Sequence, residues 1–216
     1  MLFITYILLL VVCTTLFAVS VPYPTLNGVL KASWATPWGI FTSLFVHGSL
    51  AHYGGNMIGL SLYFGMFVLT NSFISKETIR RRTRFTLPAM FILPIASNLA
   101  WIIYWPDSQV LGASGLVYAL QGVAVGFSTI NGLGQSEMPP QIKENKIMFL
   151  LVCVMNVFLA GATIIEIFIE PQVFLNVSAG ANAFVHGICF LGALVTVIGW
   201  NFLGLVRKSL HVVTNS

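Results

Sequence analysis

Six long apolar stretches, separated by short polar connections, constrain this chain more than any other feature of its sequence. They cover residues 2–21, 50–69, 85–105, 114–130, 146–168 and 180–206. Each is close to the roughly 20 residues that an α-helix needs to cross a bilayer. Only 7% of the 216 residues are charged and 57% are hydrophobic, so a water-soluble surface is excluded. The sequence therefore predicts an all-α membrane protein, with a single domain of six transmembrane helices over residues 1–216.

The first 45 residues contain an apolar segment and an irregular segment. Residues 2–21 resemble a signal peptide in length, but no basic segment precedes them, so we expect a retained helix. Residues 23–45 are interrupted by prolines and are too irregular to span the membrane. Trp34 and Trp38 in this segment suit the membrane–water interface. We expect a partly embedded loop, whose backbone must be covered by protein or line a wet cavity.

Basic residues predict the orientation. Nine of the ten lie after the second, fourth and sixth stretches: Lys76, Arg80, Arg81, Arg82, Arg84, Lys143, Lys146, Arg207 and Lys208. Only Lys31 lies on the other side. The positive-inside rule then puts both termini in the cytoplasm. The apolar stretches predict contact with the lipid bilayer. Because the basic residues cluster at helix ends, the net charge of +4 does not indicate a nucleic-acid partner, and we expect none.

The fourth stretch opens with the small-residue motif Gly112-Ala113-Ser114-Gly115. With the predicted orientation, Ser114 enters from the extracytoplasmic side and lies below the membrane surface. Polar groups inside a bilayer are costly, and they are candidates for function by default. Small residues with serine are also common where transmembrane helices pack together, so the motif alone leaves both interpretations open.

The second stretch carries His52 and Asn56, which share one helix face because they are four residues apart. Gly55 and Gly59 lie on or near that face and form a GxxxG pattern, which lets another helix approach closely. Such a face must point into the bundle. One interpretation is a pair of hydrogen bonds that serve assembly only, and the other is a functional site.

His186 lies in the otherwise apolar sixth stretch, beside a stripe of small residues. That stripe consists of Gly180, Ala183 and Gly187, and the fourth stretch has its own stripe of Gly115, Ala119, Gly122 and Gly126. Two such stripes favour close packing of the two helices. This packing would bring His186 near Ser114.

A serine and a histidine in contact would support acyl transfer. The hydroxyl becomes a good nucleophile when a base such as His186 takes its proton. An asparagine amide, a histidine N–H and the backbone N–H of Ser114 are suitable donors to an oxyanion. No aspartate lies in a stretch and the nearest acidic residue is Glu166, so we expect a Ser–His dyad and not a triad.

We expect no metal, no cofactor and no disulfide. The histidines His47, His52 and His186 lack an acidic or thiol partner in a ligand pattern. The three cysteines, Cys13, Cys153 and Cys189, all fall inside apolar stretches and form no disulfide framework.

Taken together, these motifs resemble the rhomboid family of intramembrane serine proteases over nearly all of the six-helix core. The matching elements are Trp38, Phe41-Thr42 and Phe45-Val46-His47 in the first loop, His47-x4-His52-x3-Asn56, Gly112-Ala113-Ser114-Gly115-x-x-Tyr118-Ala119, and His186. The resemblance implies that Ser114 is the nucleophile and His186 its base. It implies an oxyanion hole made by His52, Asn56 and the Ser114 N–H. Tyr118 would pack against the His186 ring, and Gly112, Gly115 and His47 would support the site.

The implied activity is that of a serine endopeptidase that cuts single-pass transmembrane proteins near their extracytoplasmic end. We expect a multi-pass protein of the cytoplasmic membrane of a prokaryote. The chain departs from the family pattern at Gly39, where arginine often follows the tryptophan. It also departs at Val185, usually alanine, and at Cys189, commonly glycine.

Two other functions are alternatives for a chain of this kind. A catalytically inactive rhomboid-like protein would act as a membrane chaperone or trafficking factor, but such relatives lose the serine or the histidine, and this chain keeps both. A small transporter or channel would relay protons through buried histidines. The chain has neither carboxylates in the middle of its spans nor a recognisable inverted repeat, which disfavours that alternative.

Overall fold

The computed structural model describes residues 1–72, 74–133, 146–169 and 183–214. Within these ranges the chain is helical, and its only β-structure is two isolated bridges. The helices are α1 (Leu2–Ser20), α2 (Thr25–Leu30), α3 (Gly39–Thr42), α4 (Leu50–Asn71), α5 (Lys76–Tyr104), α6 (Ser114–Leu133), α7 (Lys146–Ile169) and α8 (Ala183–Thr214). A 3₁₀ turn, Ser43–Phe45, follows α3.

Each of the six predicted spans falls on one long helix, and the largest difference in bounds is at the start of α5. This helix begins at Lys76, well before the predicted residue 85. Ser75 caps it by accepting a hydrogen bond from the Thr78 N–H at 3.2 Å, and no glycine or proline interrupts the basic segment. The beginning of the predicted sixth span, residues 180–182, and the predicted loop 170–178 lie outside the described residues.

Three of the described helices are long and apolar enough to cross a membrane by length and composition: α1, α5 and the Phe184–Leu203 part of α8. In α7, the apolar part Leu150–Ile165 is shorter. The helices α4 and α6 carry more small and polar side chains. The number of spans and the side on which the termini lie therefore stay predictions.

Helix α6 lies at the centre of the bundle. Residues 115–128 are buried all round, apart from the half-buried Tyr118. A helix that contacts protein on every side need not be uniformly apolar, because little of it would face lipid. This explains how α6 can carry the fully buried Gln121 in its middle.

The predicted close approach of the fourth and sixth stretches is confirmed. A Cβ atom at Gly122 would collide with the Phe190 carbonyl oxygen of α8 and lie 2.9 Å from the Cβ of Ala193. One at Gly126 would lie 2.8 Å from a Val197 methyl. The two helices therefore pack backbone to backbone along these glycines.

The GxxxG pattern of α4 is confirmed at one glycine only. A Cβ at Gly59 would lie 2.9 Å from a Val117 methyl of α6, so this glycine does permit close packing. Gly55 was expected to do the same, and that expectation is wrong. No described residue of another element lies within 4 Å of its ideal Cβ position, because Gly55 faces a cavity.

Buried amides connect the helices at positions that the sequence patterns did not single out. Gln121 of α6 donates to the Thr163 hydroxyl of α7 at 2.8 Å. Asn156 of α7 donates to the Ser128 hydroxyl at 3.1 Å. Hydrogen bonds of this kind hold helices together where water is excluded.

Helix α1 runs antiparallel to α4. The Tyr6 hydroxyl donates to Ser61 at 2.9 Å near one end, and Thr14 and Tyr53 share a hydrogen bond of 2.7 Å near the other. The Phe17 ring stacks on the Tyr53 ring, with centroids 4.6 Å apart. The beginning of α1 therefore lies beside the end of α4 and the beginning of α5.

Candidate active site

A cavity of about 590 Å³ lies among α4, α5, α6, α8 and the segment that precedes α6. The four side chains that the sequence singled out all line it: His52, Asn56, Ser114 and His186. They come from three helices that are far apart in the sequence. The structure therefore brings the predicted residues together, while their chemical roles stay predictions.

Ser114 is the first residue of α6, and the two residues before it are held in place by the first loop. The Gly112 N–H donates to the Ser43 carbonyl oxygen at 2.8 Å. The Ala113 N–H donates to Nε2 of His47 at 3.4 Å. These bonds fix the backbone where it enters the helix, and the Ser114 side chain that follows is half-buried.

The first loop is itself anchored to the segment before α6. Ala32 and Val110 exchange two backbone hydrogen bonds, of 2.9 and 3.0 Å. The Lys31 ammonium donates to the Gln109 side chain at 2.7 Å. The loop thus has covered backbone at this point, as we expected, although its depth in a membrane stays a prediction.

His47 is a buried support for this arrangement. Its side chain is 1% exposed, and its ring meets the His52 ring edge-on, with centroids 5.3 Å apart. Burial, followed by the charge of neighbouring His52, lowers the pKa of His47 to about 4. A neutral His47 can accept the Ala113 N–H, which a protonated ring cannot do.

Gly112 lets the polar side chains of α4 come close to the serine. Its φ of +117° lies in a region that residues with a side chain rarely adopt. An ideal Cβ at this position would lie 2.5 Å from two atoms of the His52 ring and 3.3 Å from Nδ2 of Asn56. The space that a side chain would need is therefore already filled by the candidate oxyanion donors.

The side-chain amide of Asn56 is a candidate hydrogen-bond donor to a substrate. Its side chain is buried, lines the cavity, and has an Nδ2 atom without a hydrogen-bond partner among the described residues. Buried donors normally form a hydrogen bond, and a buried donor without one costs about 1–3 kcal/mol of stability. A group that accepts this bond during a reaction would recover that cost.

His186 is held by an aromatic stack. The Tyr118 ring lies 4.2 Å from the His186 ring between centroids, with 17° between the planes. The Nδ1 atom of His186 is buried and has no partner in the part of the chain that the structure describes. In that part, no hydrogen bond joins Ser114 to His186, although both line the cavity.

The three departures from the family pattern each have a definite local environment. A Cβ at Gly39 would collide with the Lys31 carbonyl oxygen, so this loop leaves no room for a side chain there. A methyl group of Val185 lies 3.4 Å from the ideal Cβ position of Gly115. The Sγ atom of Cys189 lies 3.4 Å from the Ser97 hydroxyl, which places this thiol in a polar contact with α5.

Several cavity residues were missed by the sequence patterns. Asn98 and Trp101 of α5 and Tyr63 of α4 line the cavity with the predicted residues. Asn98 also donates to the Ser43 hydroxyl at 3.1 Å, which ties α5 to the first loop. An isolated asparagine and tryptophan in an apolar stretch carry no spacing signal, so only the packing reveals them.

The fold and the cavity define a helical membrane protein with a serine, two histidines and an asparagine around one polar site. The rhomboid domain family model matches residues 35–202, which include all four of these residues. The chain belongs to the rhomboid family. No curated protein and no solved structure gives a significant match. Among the described residues, no three His, Cys, Asp or Glu side chains come together as metal ligands.

Proposed function

We propose that this protein is an intramembrane serine endopeptidase that cleaves the transmembrane segments of single-pass membrane proteins. The Ser114 hydroxyl attacks the scissile carbonyl carbon while His186 takes its proton. His186 then gives that proton to the leaving amine as the C–N bond breaks. In the second half of the reaction, His186 takes a proton from water, which attacks the acyl carbon, and returns a proton to the Ser114 oxygen as the acyl–oxygen bond breaks. The observation that supports this most is the shared cavity, which a serine and a histidine line together with an amide donor that has no partner among the described residues.

His52, Asn56 and the Ser114 N–H supply the oxyanion hole in this proposal. The negative charge develops on the substrate oxygen only when the serine attacks. The Nδ2 atom of Asn56 then gains an acceptor that no described residue provides. Removing one such donor typically costs about 10²–10³-fold in kcat.

The surrounding membrane arrangement is part of the same proposal. The chain crosses the cytoplasmic membrane of a prokaryote six times, with both termini in the cytoplasm. The cavity then opens to the extracytoplasmic side and admits the water that hydrolysis consumes. A substrate helix must unwind locally to reach Ser114, so we expect substrates with small or helix-breaking residues near that end.

A fluorophosphonate probe tests the nucleophile directly. It should label the purified protein, and Ser114→Ala should abolish the labelling. His186→Ala should do the same if the histidine is the base. Ser72→Ala is the matched control, because Ser72 is an exposed serine at the far end of α4. Labelling that survives Ser114→Ala would contradict the proposal.

Cleavage of tagged single-span substrates in liposomes tests the reaction itself. Asn56→Ala should lower kcat far more than it raises KM, since the lost bond forms only in the transition state. If the rate stayed constant and only thermal stability fell, Asn56 would serve helix packing. A panel of substrates is needed, because the cavity does not name a preferred sequence.

A second candidate function is a catalytically inactive rhomboid-like chaperone or trafficking factor. The observation in its favour is that no hydrogen bond joins Ser114 and His186 among the described residues. Catalytic hydrogen bonds are often long in unliganded enzymes and tighten on substrate binding, so we favour the peptidase. Stable binding of single-span proteins without probe labelling or cleavage would support the second candidate.

A further inference from the structure

A second cavity lies at the other end of the bundle, away from Ser114. It has a volume of about 760 Å³ and lies among the beginning of α1, the end of α4 and the beginning of α5. One wall is apolar and consists of Leu2, Phe3, Phe64, Phe67 and Val68. The part contributed by α5 carries three basic residues beside Ile79 and Thr83, and these three form the basic face. The cavity therefore joins a groove suited to hydrocarbon with a cluster of positive charge.

The basic face is regular. Lys76, Arg80 and Arg84 follow one another at intervals of four residues, so they project from one side of α5, and all three line the cavity. Glu77, the acidic residue of this segment, does not line the described cavity. In the ranges that the structure covers, no carboxylate forms an ion pair with these cations.

The two remaining arginines of this segment are engaged elsewhere. Arg81 lies over the Trp200 ring, with its guanidinium carbon 4.9 Å from the ring centroid. Arg82 is buried and donates to the side-chain oxygens of Asn71 and Asn131 at 2.8 and 2.7 Å. The segment thus divides into cations that hold the fold and cations that line an open groove.

We propose that this groove binds one anionic phospholipid from the leaflet at that end of the bundle. The phosphate lies against Lys76, Arg80 and Arg84, and an acyl chain lies along Phe64 and Val68. Basic pockets between transmembrane helices recognise anionic headgroups through this combination of charge and apolar surface. A zwitterionic lipid carries its own cation and gains less from the same face. The proposal does not depend on the peptidase activity.

Native mass spectrometry of the full chain in mixed micelles tests the site, with phosphatidylglycerol and phosphatidylcholine as probes. The protein should retain phosphatidylglycerol preferentially. Each removed cation should weaken retention about fivefold. Arg80→Gln should therefore weaken it, and the triple variant Lys76→Gln/Arg80→Gln/Arg84→Gln should abolish the preference.

Neighbouring residues supply matched controls. Arg81→Gln removes the same charge one residue away and should change retention less than twofold, because Arg81 contacts Trp200 instead. Val68→Trp should fill the groove and displace the lipid. Leu69→Trp should not, since Leu69 is similarly exposed, at 40% against 46%, but does not line the cavity.

Three results would overturn the proposal. The first is equal retention of the two phospholipids by the unmodified protein. The second is an equal loss with Arg80→Gln and Arg81→Gln, which would indicate general charge attraction. The third is displacement of the lipid by inorganic phosphate at the same concentration, which would indicate a site for a free anion. Size-exclusion chromatography of each variant verifies that it is folded.

Discussion

The Tyr118 ring of α6 stacks on the His186 ring of α8, with centroids 4.2 Å apart and 17° between the planes. The two residues belong to helices that pack backbone to backbone around Gly122. The stack therefore fixes the orientation of an imidazole that lines the same cavity as Ser114. Its strength depends on a flat ring at residue 118.

Replacing that ring should lower activity more than it lowers stability. Aromatic pairs contribute about 0.5–1.5 kcal/mol beyond burial, so Tyr118→Leu should reduce kcat by up to about tenfold as His186 loses its fixed orientation. Tyr118→Phe keeps the stack and should retain most of the activity. Rates in liposomes and melting temperatures measure both effects. Equal rates for the leucine and phenylalanine variants would show that the stack does not position the base.

Gly112→Ala should disable the site while the fold survives. The added methyl would lie 2.5 Å from the His52 ring, and the backbone φ of +117° would be strained. Moving both oxyanion donors away should cost about 10²-fold in kcat, by analogy with removing one donor. Gly54→Ala is the control, because in the part of the chain that the structure describes no neighbouring element comes within 4 Å of its ideal Cβ. Full activity of Gly112→Ala would mean that His52 and Asn56 need not approach the serine.

Gly122→Ala should destabilise the bundle, because its methyl group meets the Phe190 carbonyl and the Ala193 side chain. Overpacking of this kind costs about 1–3 kcal/mol, which outweighs the gain of about 1 kcal/mol in helix propensity. Gly65→Ala in α4 meets no neighbouring element within 4 Å in the described ranges and should be neutral or stabilising. Thermal denaturation in detergent compares the two. A higher melting temperature for Gly122→Ala would contradict the backbone contact of α6 with α8.

The rate of peptide cleavage should rise with pH through the titration of His186 and then stay level. Only the neutral imidazole can accept the proton of Ser114. A rate–pH profile in bilayers tests this, with unfolding followed in parallel so that loss of fold is not read as loss of the base. A rate that grew as the pH fell below that titration would show that His186 acts in its protonated form.

The stability of the protein should fall with acid because of His47. Its pKa in the folded state is about 4, against an ordinary value of 6.5. Between these values the unfolded chain binds more protons than the folded one, so stability decreases as the pH falls through this window. His47→Gln keeps an acceptor for the Ala113 N–H and should show a shallower decline in melting temperature. Identical slopes for the two proteins would mean that His47 is already protonated when folded.

Periodicity and charge predicted much of the fold. The helical starts at Leu50, Ser114 and Lys146 agree with the predicted bounds, because each follows a polar or proline-containing connection. The predicted start of α5 was too late, because charged residues mark where a segment can leave a membrane and do not show where a helix begins. Lys76–Tyr104 therefore continues through the basic segment.

Some features of the candidate site could be predicted from residue spacing and others could not. The i, i+4 spacing places His52 and Asn56 on one face, and the small residues beside Ser114 predict a close helix contact. Spacing alone could not show which glycine of the GxxxG pattern in α4 contacts a neighbouring helix. Gly59 packs against Val117, whereas Gly55 faces the cavity. Helical spacing defines a direction around one helix, and it does not say which neighbour lies there.

The sequence by itself determined the helical membrane architecture and the residue types available for chemistry, because apolar length and local spacing act within one segment. Tertiary structure alone decided which side chains share a cavity, why Gly112 must be glycine, and that Lys76, Arg80 and Arg84 face a groove against α1 and α4. Those facts depend on contacts between segments distant in the chain. Their energies come from close packing and unsatisfied hydrogen bonds, which no single segment contains.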